Sequence, residues 1–309
     1  MSEPTSRSSG ATGEPTGRSG GATGEPAGRS SGQAGEPAGR SSGATGEPAG
    51  RSFGEEGARL SYGSYLRIPE LLDQQRLLSD PPAHDELLFI TVHQVYELWF
   101  QVLLHELETV RDLLMAGPDL WSPRHLLERC AAIERVLVGQ IDVIETMTPQ
   151  DFLTFRSLLA PASGFQSVQF RELEFLSGAK EAAFLGRLHD ATPAELARLE
   201  RRLDEPTVWD AFVRALERAG LAVAGPEDRR ASLQEVAADR GRFGPLWDLA
   251  EALVTHDEQA AAWRSRHVAM VERQIGMKSG TGGSTGAPYL RARLGLHYYP
   301  ELWELRSSL

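Results

Sequence analysis

The sequence predicts an all-α protein, a helical bundle with a peripheral helical hairpin, preceded by a disordered N-terminal repeat tail. Three observations point there. Apolar residues recur at helical spacing in several long stretches of the 309-residue chain. Alternating, strand-like runs are nearly absent from the same stretches. Residues 2–57 hold one aromatic side chain, Phe53, and no Leu, Ile or Val, so they have no material for a core.

In that tail Gly-Glu-Pro recurs at Gly13, Gly24, Gly35 and Gly46, each followed by an arginine (Arg18, Arg29, Arg40, Arg51), with a period of eleven. Nothing apolar is present to offset the entropy of ordering, and the glycines do not fall at every third position as collagen requires. The expectation is a flexible polar leader over residues 1–57, ahead of one folded domain over 58–309.

The first long helix is central. Leu87, Leu88, Phe89, Ile90, Val92, Val95, Leu98, Trp99, Val102, Leu103, Leu107, Val110 and Leu113 follow helical spacing, crowding all sides early and one side later. Asp85 is its expected cap, and Gly117-Pro118 ends it. A second helix is expected from Pro123 to about Thr146, as a bundle partner. The stretch "SGFQSVQFRELEFLSG" opens on a Ser-Gly loop and continues as a helix. Pro193 to about Ala222 is charged and amphipathic, and reads as the peripheral hairpin. Gly244 to Ile275 is helical again and runs into the glycine-rich "GMKSGTGGSTGAP", before a short final helical segment.

The net charge is −11, of which the leader carries five Arg against seven Glu, so nucleic-acid binding is not expected. No charged-then-apolar leader and no uninterrupted apolar run of about 18 residues is present, which makes the cytoplasm the expected compartment, with no membrane partner. Cys130 is the only cysteine and reads as a small buried hydrophobe.

The chemistry must come from other residues. His93 stands in the apolar run "FITVHQVYELWF", either as a neutral core imidazole, with Glu97 one turn on as a possible partner, or as a functional group. No Glu sits three residues before any His, and His105-Glu106 lacks the second His of a zinc-protease helix. His267, in "WRSRHVAMVERQIG", suits either a solvated or stacked histidine among arginines or an axial haem ligand. Arg156 lies among Phe152, Leu153, Phe155, Leu158 and Leu159, where a structural salt bridge and a clamp on a ligand carboxylate are both open. "GTGGSTG", Gly280 to Gly286, lacks the Lys-Ser/Thr ending of a phosphate loop; it suits a mobile lid whose hydroxyls include Thr281.

Taken together, "SYGSYL", "HDELLFITVHQVYELWF", "DFLTFRSLLAPASGFQSVQFRELEF", "WRSRHVAMVERQIGMKSGTGGSTG" and "YYPELWELR" resemble the tryptophan 2,3-dioxygenase family, in the right order over residues 61–309. The resemblance implies a bundle enclosing a b-type haem, ferrous when active, with His267 as the axial iron ligand. It implies L-tryptophan and O2 as substrates and cleavage of the indole C2–C3 bond to N-formylkynurenine, the first step of tryptophan catabolism. His93 is then the catalytic residue near the indole nitrogen, Phe89 and Leu159 pack on the indole ring, Arg156 holds the carboxylate and Thr281 the ammonium group. Phe152 stands where family members carry Tyr or Phe. Tyr62, Tyr65 and Leu66 match residues that wall a neighbouring subunit's site, implying a homotetramer with exchanged N-terminal segments. Gln101 departs from the Lys that often follows "ELWF", with an effect expected on surface contacts. Two further readings stay open: a relative that mono-oxygenates a tryptophan derivative, and a non-catalytic haem sensor.

Overall fold

A computed structural model describes residues 60–188, 190–282 and 285–309; the expected disorder of the leader falls on residues outside these. The folded unit spans residues 61–309, and no strand occurs among the described residues. Its α-helices are α1 (Tyr62–Tyr65), α2 (Ile68–Leu72), α3 (Glu86–Ala116), α4 (Trp121–Ile144), α5 (Pro149–Phe155), α6 (Val168–Ser177), α7 (Pro193–Asp204), α8 (Val208–Arg218), α9 (Pro226–Ala238), α10 (Arg240–Ile275), α11 (Ala287–Ala292) and α12 (Pro300–Leu305).

The three long helices α3, α4 and α10 form the frame, with α4 packed against both others. On α4 the buried positions Leu127, Cys130, Ile133, Leu137, Ile141 and Ile144 advance by three or four residues, which keeps them on one stripe. On α3 the same spacing buries Leu103, Leu107, Val110 and Leu114. Each such fully buried aliphatic side chain contributes roughly 1.5–3 kcal/mol relative to exposure. The expected hairpin region folds as the two helices α7 and α8, but α7 packs against α6 while α8 packs against α3, with Val208, Ala211, Phe212, Ala215 and Leu216 entering the main core.

Asp85 precedes α3 but makes no capping bond; its carboxylate meets His84 Nδ1 at 2.8 Å instead. Glu86 secures that end. Its carboxylate accepts the backbone N–H groups of Leu78 (2.7 Å) and Ser79 (3.0 Å), together with the Ser79 hydroxyl. Burial alone would raise the Glu86 pKa, and these bonds hold it below the usual carboxylate value. By length and composition α3 is long and apolar enough to cross a membrane, with mean hydropathy 1.4. Here it packs against α4, α6 and α8 as the central element of the bundle.

On α10 the backbone breaks at Phe243 (φ −113°, ψ 16°), so regular helix resumes at Gly244, the expected start. Pro245 then sits in the first turn, where a missing N–H leaves no ladder bond unmade. The C-terminal segment is fastened by Asp257 on α10. Its Oδ2 accepts from the backbone N of Tyr298 (2.8 Å) and Tyr299 (3.1 Å) and from Trp303 Nε1 (3.0 Å). Beside it His256 lies between Glu134 of α4, 2.8 Å from Nδ1, and Ser177 of α6, 3.2 Å from Nε2. Burial opposes charge on this histidine, but Glu134 raises its pKa, so the pair acts as a buried strut between three helices.

Candidate active site

Two helices bring two histidines to one place. Tyr96 of α3 meets Trp263 of α10 edge to face at 6.1 Å, while Met270, further along α10, packs against the cluster of Val92, Ile144, Met147 and Phe155. Those contacts bracket His93 and His267, which therefore face a common region from antiparallel helices.

His93 has an exposed surface although protein surrounds it closely enough for desolvation to lower its pKa. A side chain that satisfies both conditions lines a hollow. Its Nδ1 donates to the Phe89 carbonyl at 2.7 Å, which makes Nδ1 the protonated nitrogen and leaves Nε2 as a lone-pair acceptor. Glu97 is not the partner. Its carboxylate accepts instead from Gln169 Nε2 of α6 at 2.8 Å.

His267 is more strongly affected, its pKa lowered to about 4 by desolvation and further by the charge of His93. It makes no hydrogen bond among the described residues, and its ring is stacked on Trp263 at 4.9 Å and 7°. In the unfolded chain an imidazole titrates near 6.5, so between that value and about 4 the unfolded state takes up a proton that the folded state refuses. The stability contributed by His267 is therefore fully present above about 6.5 and falls as pH drops towards 4. Urea denaturation of the ligand-free protein at a series of pH values should show this slope, and His267→Phe should flatten it. An unchanged slope in the variant would mean that the ring is solvated.

The wall beside His93 is aromatic. Phe89, one turn earlier on α3, lies 4.1 Å from the His93 ring and stacks on Phe152 of α5 at 5.5 Å and 22°, with Phe155 edge-on at 5.7 Å. Leu159 packs against the same cluster. Arg156 follows Phe152 by four residues, at the turn from α5 into a short 3-10 helix, and so shares its side. Among the described residues it pairs with no carboxylate; Nη2 donates to the Ser279 carbonyl at 2.5 Å. Of the two readings open for Arg156, a structural salt bridge finds no carboxylate among the described residues, and the guanidinium's charge is left for a ligand.

Thr281 Oγ1 donates to the Ala162 carbonyl at 2.5 Å, so the glycine-rich segment lies over the loop that follows Leu159. Gly282 permits this approach: a Cβ there would sit 2.6 Å from Ser163 Cβ and 3.2 Å from the Pro161 carbonyl. The structure thus gathers Phe89, His93, Phe152 and Leu159, and joins Arg156 and Thr281 to them through the two loops. Tyr62, Tyr65 and Leu66 stand apart in this respect, exposed at 79, 69 and 41 % on α1 and its end.

The donor set limits what metal chemistry fits. No group of three or more His, Cys, Asp or Glu residues placed to hold a bare ion occurs among the described residues. A single neutral imidazole with no further ligands grouped around it suits an iron whose other positions a porphyrin would fill. The residues present therefore fit a haem held by His267.

The fold and this site define an all-helical protein in which histidines from two long helices stand beside a wall of phenylalanines. A family profile described as "Tryptophan 2,3-dioxygenase" matches residues 47–227 and 228–309. Relatives of that same description include one from a Nocardioides species, 63% identical over 258 residues, covering 82% of this chain and 97% of the relative. Another, from Herpetosiphon aurantiacus, is 46% identical over 260 residues, covering 81% and 98%; a third, from Caulobacter vibrioides, is 42% identical over 264 residues, covering 81% and 98%. The chain belongs to the tryptophan 2,3-dioxygenase family.

Proposed function

We propose that this protein cleaves the indole C2–C3 bond of L-tryptophan with O2, both oxygen atoms entering N-formylkynurenine, and that it holds a b-type haem through His267. In a chain of this family, one observation carries the reading furthest: the bond from His93 Nδ1 to the Phe89 carbonyl leaves Nε2 as an acceptor in an aromatic wall. That is the group an indole N–H requires. Ferrous haem supplies the electronic coupling to triplet oxygen that protein side chains lack.

The side chains supply position. Phe89 and Leu159 shape the space for the ring, Arg156 takes the carboxylate in a bidentate fork, and Thr281 turns its hydroxyl to the ammonium group. Phe152 offers no hydroxyl, so the carboxylate depends on Arg156. Desolvation keeps both histidines neutral near pH 7, which suits one to accept a hydrogen bond and the other to donate a lone pair to iron. Closure of the loops around Gly282 and Ala162 excludes water from the reacting atoms.

The exposed Tyr62, Tyr65 and Leu66 support a further part of the proposal, a cytoplasmic homotetramer in which each α1 walls a neighbour's site. Deleting residues 2–57 should leave haem content, assembly size and turnover nearly unchanged. Trimming on through Tyr65 should impair catalysis more than folding, and full activity of that protein would contradict the shared wall. For the reaction itself, reduced, haem-loaded protein is given L-tryptophan under isotopically heavy oxygen gas. Two labelled atoms in the product are expected; one would mean mono-oxygenation, and none with an intact haem spectrum would mean sensing.

A further inference from the structure

His267 has a stacking partner and, among the described residues, no hydrogen-bond partner. Metal-bound imidazoles usually donate their second ring N–H to a carboxylate or carbonyl, which fixes the plane of the ring. Another device is needed here, because rotation about an sp³–sp² side-chain bond is broad unless neighbouring groups restrict it.

Trp263 is placed to provide it. It precedes His267 by four residues on α10, a spacing that sets one side chain over the other, and the two rings are parallel within 7°. The indole is itself held from two further helices, by Phe170 of α6 at 5.0 Å and by Tyr96 of α3 at 6.1 Å. Tyr96 in turn is fixed because its hydroxyl donates to the Leu137 carbonyl of α4 at 2.8 Å. The plane of Trp263 is thus set by the frame of the bundle, and it transmits that plane to the imidazole.

We propose that Trp263 is the positioning residue for His267, fixing the imidazole plane about its bond to haem iron by stacking in place of a hydrogen bond. This rests on the assignment of His267 as axial ligand. The orientation of a planar ligand governs its overlap with the iron d orbitals, so the stack sets one ligand geometry where a free ring would take several.

The test compares Trp263→Phe, which keeps a smaller aromatic face, and Trp263→Leu, which keeps none, with the parent as reduced holoenzymes. The readout is the iron–imidazole stretching band in resonance Raman spectra, which reports on that bond directly. A single narrow band is expected for the parent, a broadened and shifted band for Trp263→Leu, and an intermediate one for Trp263→Phe. Identical bands in all three would overturn the proposal. Should Trp263→Leu fail to fold, Trp263→Phe decides alone: broadening supports the stack, and an unchanged band overturns it. His267→Gly, with and without added imidazole, separates the two assignments. Loss of the band without imidazole and its return with imidazole confirm the ligand, whereas a band that persists in His267→Gly alone shows that the axial assignment itself is wrong.

Discussion

Arg156→Ala is expected to lower catalytic efficiency towards L-tryptophan by about 2–5 kcal/mol, the range seen when one partner of a desolvated charge pair is removed. The guanidinium meets no carboxylate among the described residues and donates only to the Ser279 carbonyl, so its charge is available to an incoming anion. Phe152, on the same side, brings no hydroxyl to share the load. Removal leaves the substrate carboxylate without a counter-ion in a site closed to water. Lysine at this position should rescue only part of the loss, because it keeps the charge and loses the planar fork. Tryptamine, which lacks the carboxylate, is the control. It should be a poor substrate of the parent and should lose little more on Arg156→Ala, the residue of that loss measuring the bond to Ser279. Efficiencies for both substrates with both proteins decide the matter: equal fractional losses would make Arg156 a loop-fastening residue.

What could be read from the sequence was local in character. The spacing of Leu103, Leu107, Val110 and Leu114 is enough to predict α3, and Gly117 enough to end it, because helical periodicity depends on near neighbours. The same holds for the adjacency of Phe152 to Arg156. Partners chosen across the fold were hidden. Glu97 is one turn from His93 and was one candidate partner in the sequence, yet the i−4 carbonyl of Phe89 takes Nδ1 while Gln169, 72 residues from Glu97, binds the carboxylate. The strut of Glu134, His256 and Ser177 joins three helices, and nothing in "LVTHDEQ" distinguishes His256 from a solvated residue. The Trp263–His267 stack had a sequence signal, two flat rings four residues apart, that periodicity arguments pass over because both fit an ordinary helix face.

The two histidines should separate in their failures. His267→Ala is expected to abolish stable haem binding, because it removes the imidazole proposed to hold the iron, and no group of three or more ligand residues among the described residues could hold it instead. The variant should fold, since His267 makes no hydrogen bond among the described residues whose loss would strand a buried partner. Pyridine haemochrome titration against protein concentration, with circular dichroism as the folding control, measures this; a variant that kept the parent's ferrous spectrum would place the iron elsewhere. His93→Ala should keep its haem. Its Nδ1 is bonded within its own helix turn, so truncation strands no partner from another element, and the loss falls on Nε2. Loss of one hydrogen bond to the substrate in a dry site costs about 1–3 kcal/mol, so efficiency towards L-tryptophan should fall by roughly tenfold to a hundredfold. A tryptophan methylated at the indole nitrogen has no N–H to offer that acceptor. If the parent discriminates against it and His93→Ala does not, the acceptor role stands; if both proteins discriminate to the same degree, the methyl group is rejected by the shape of the Phe89 and Leu159 wall and His93 serves another purpose.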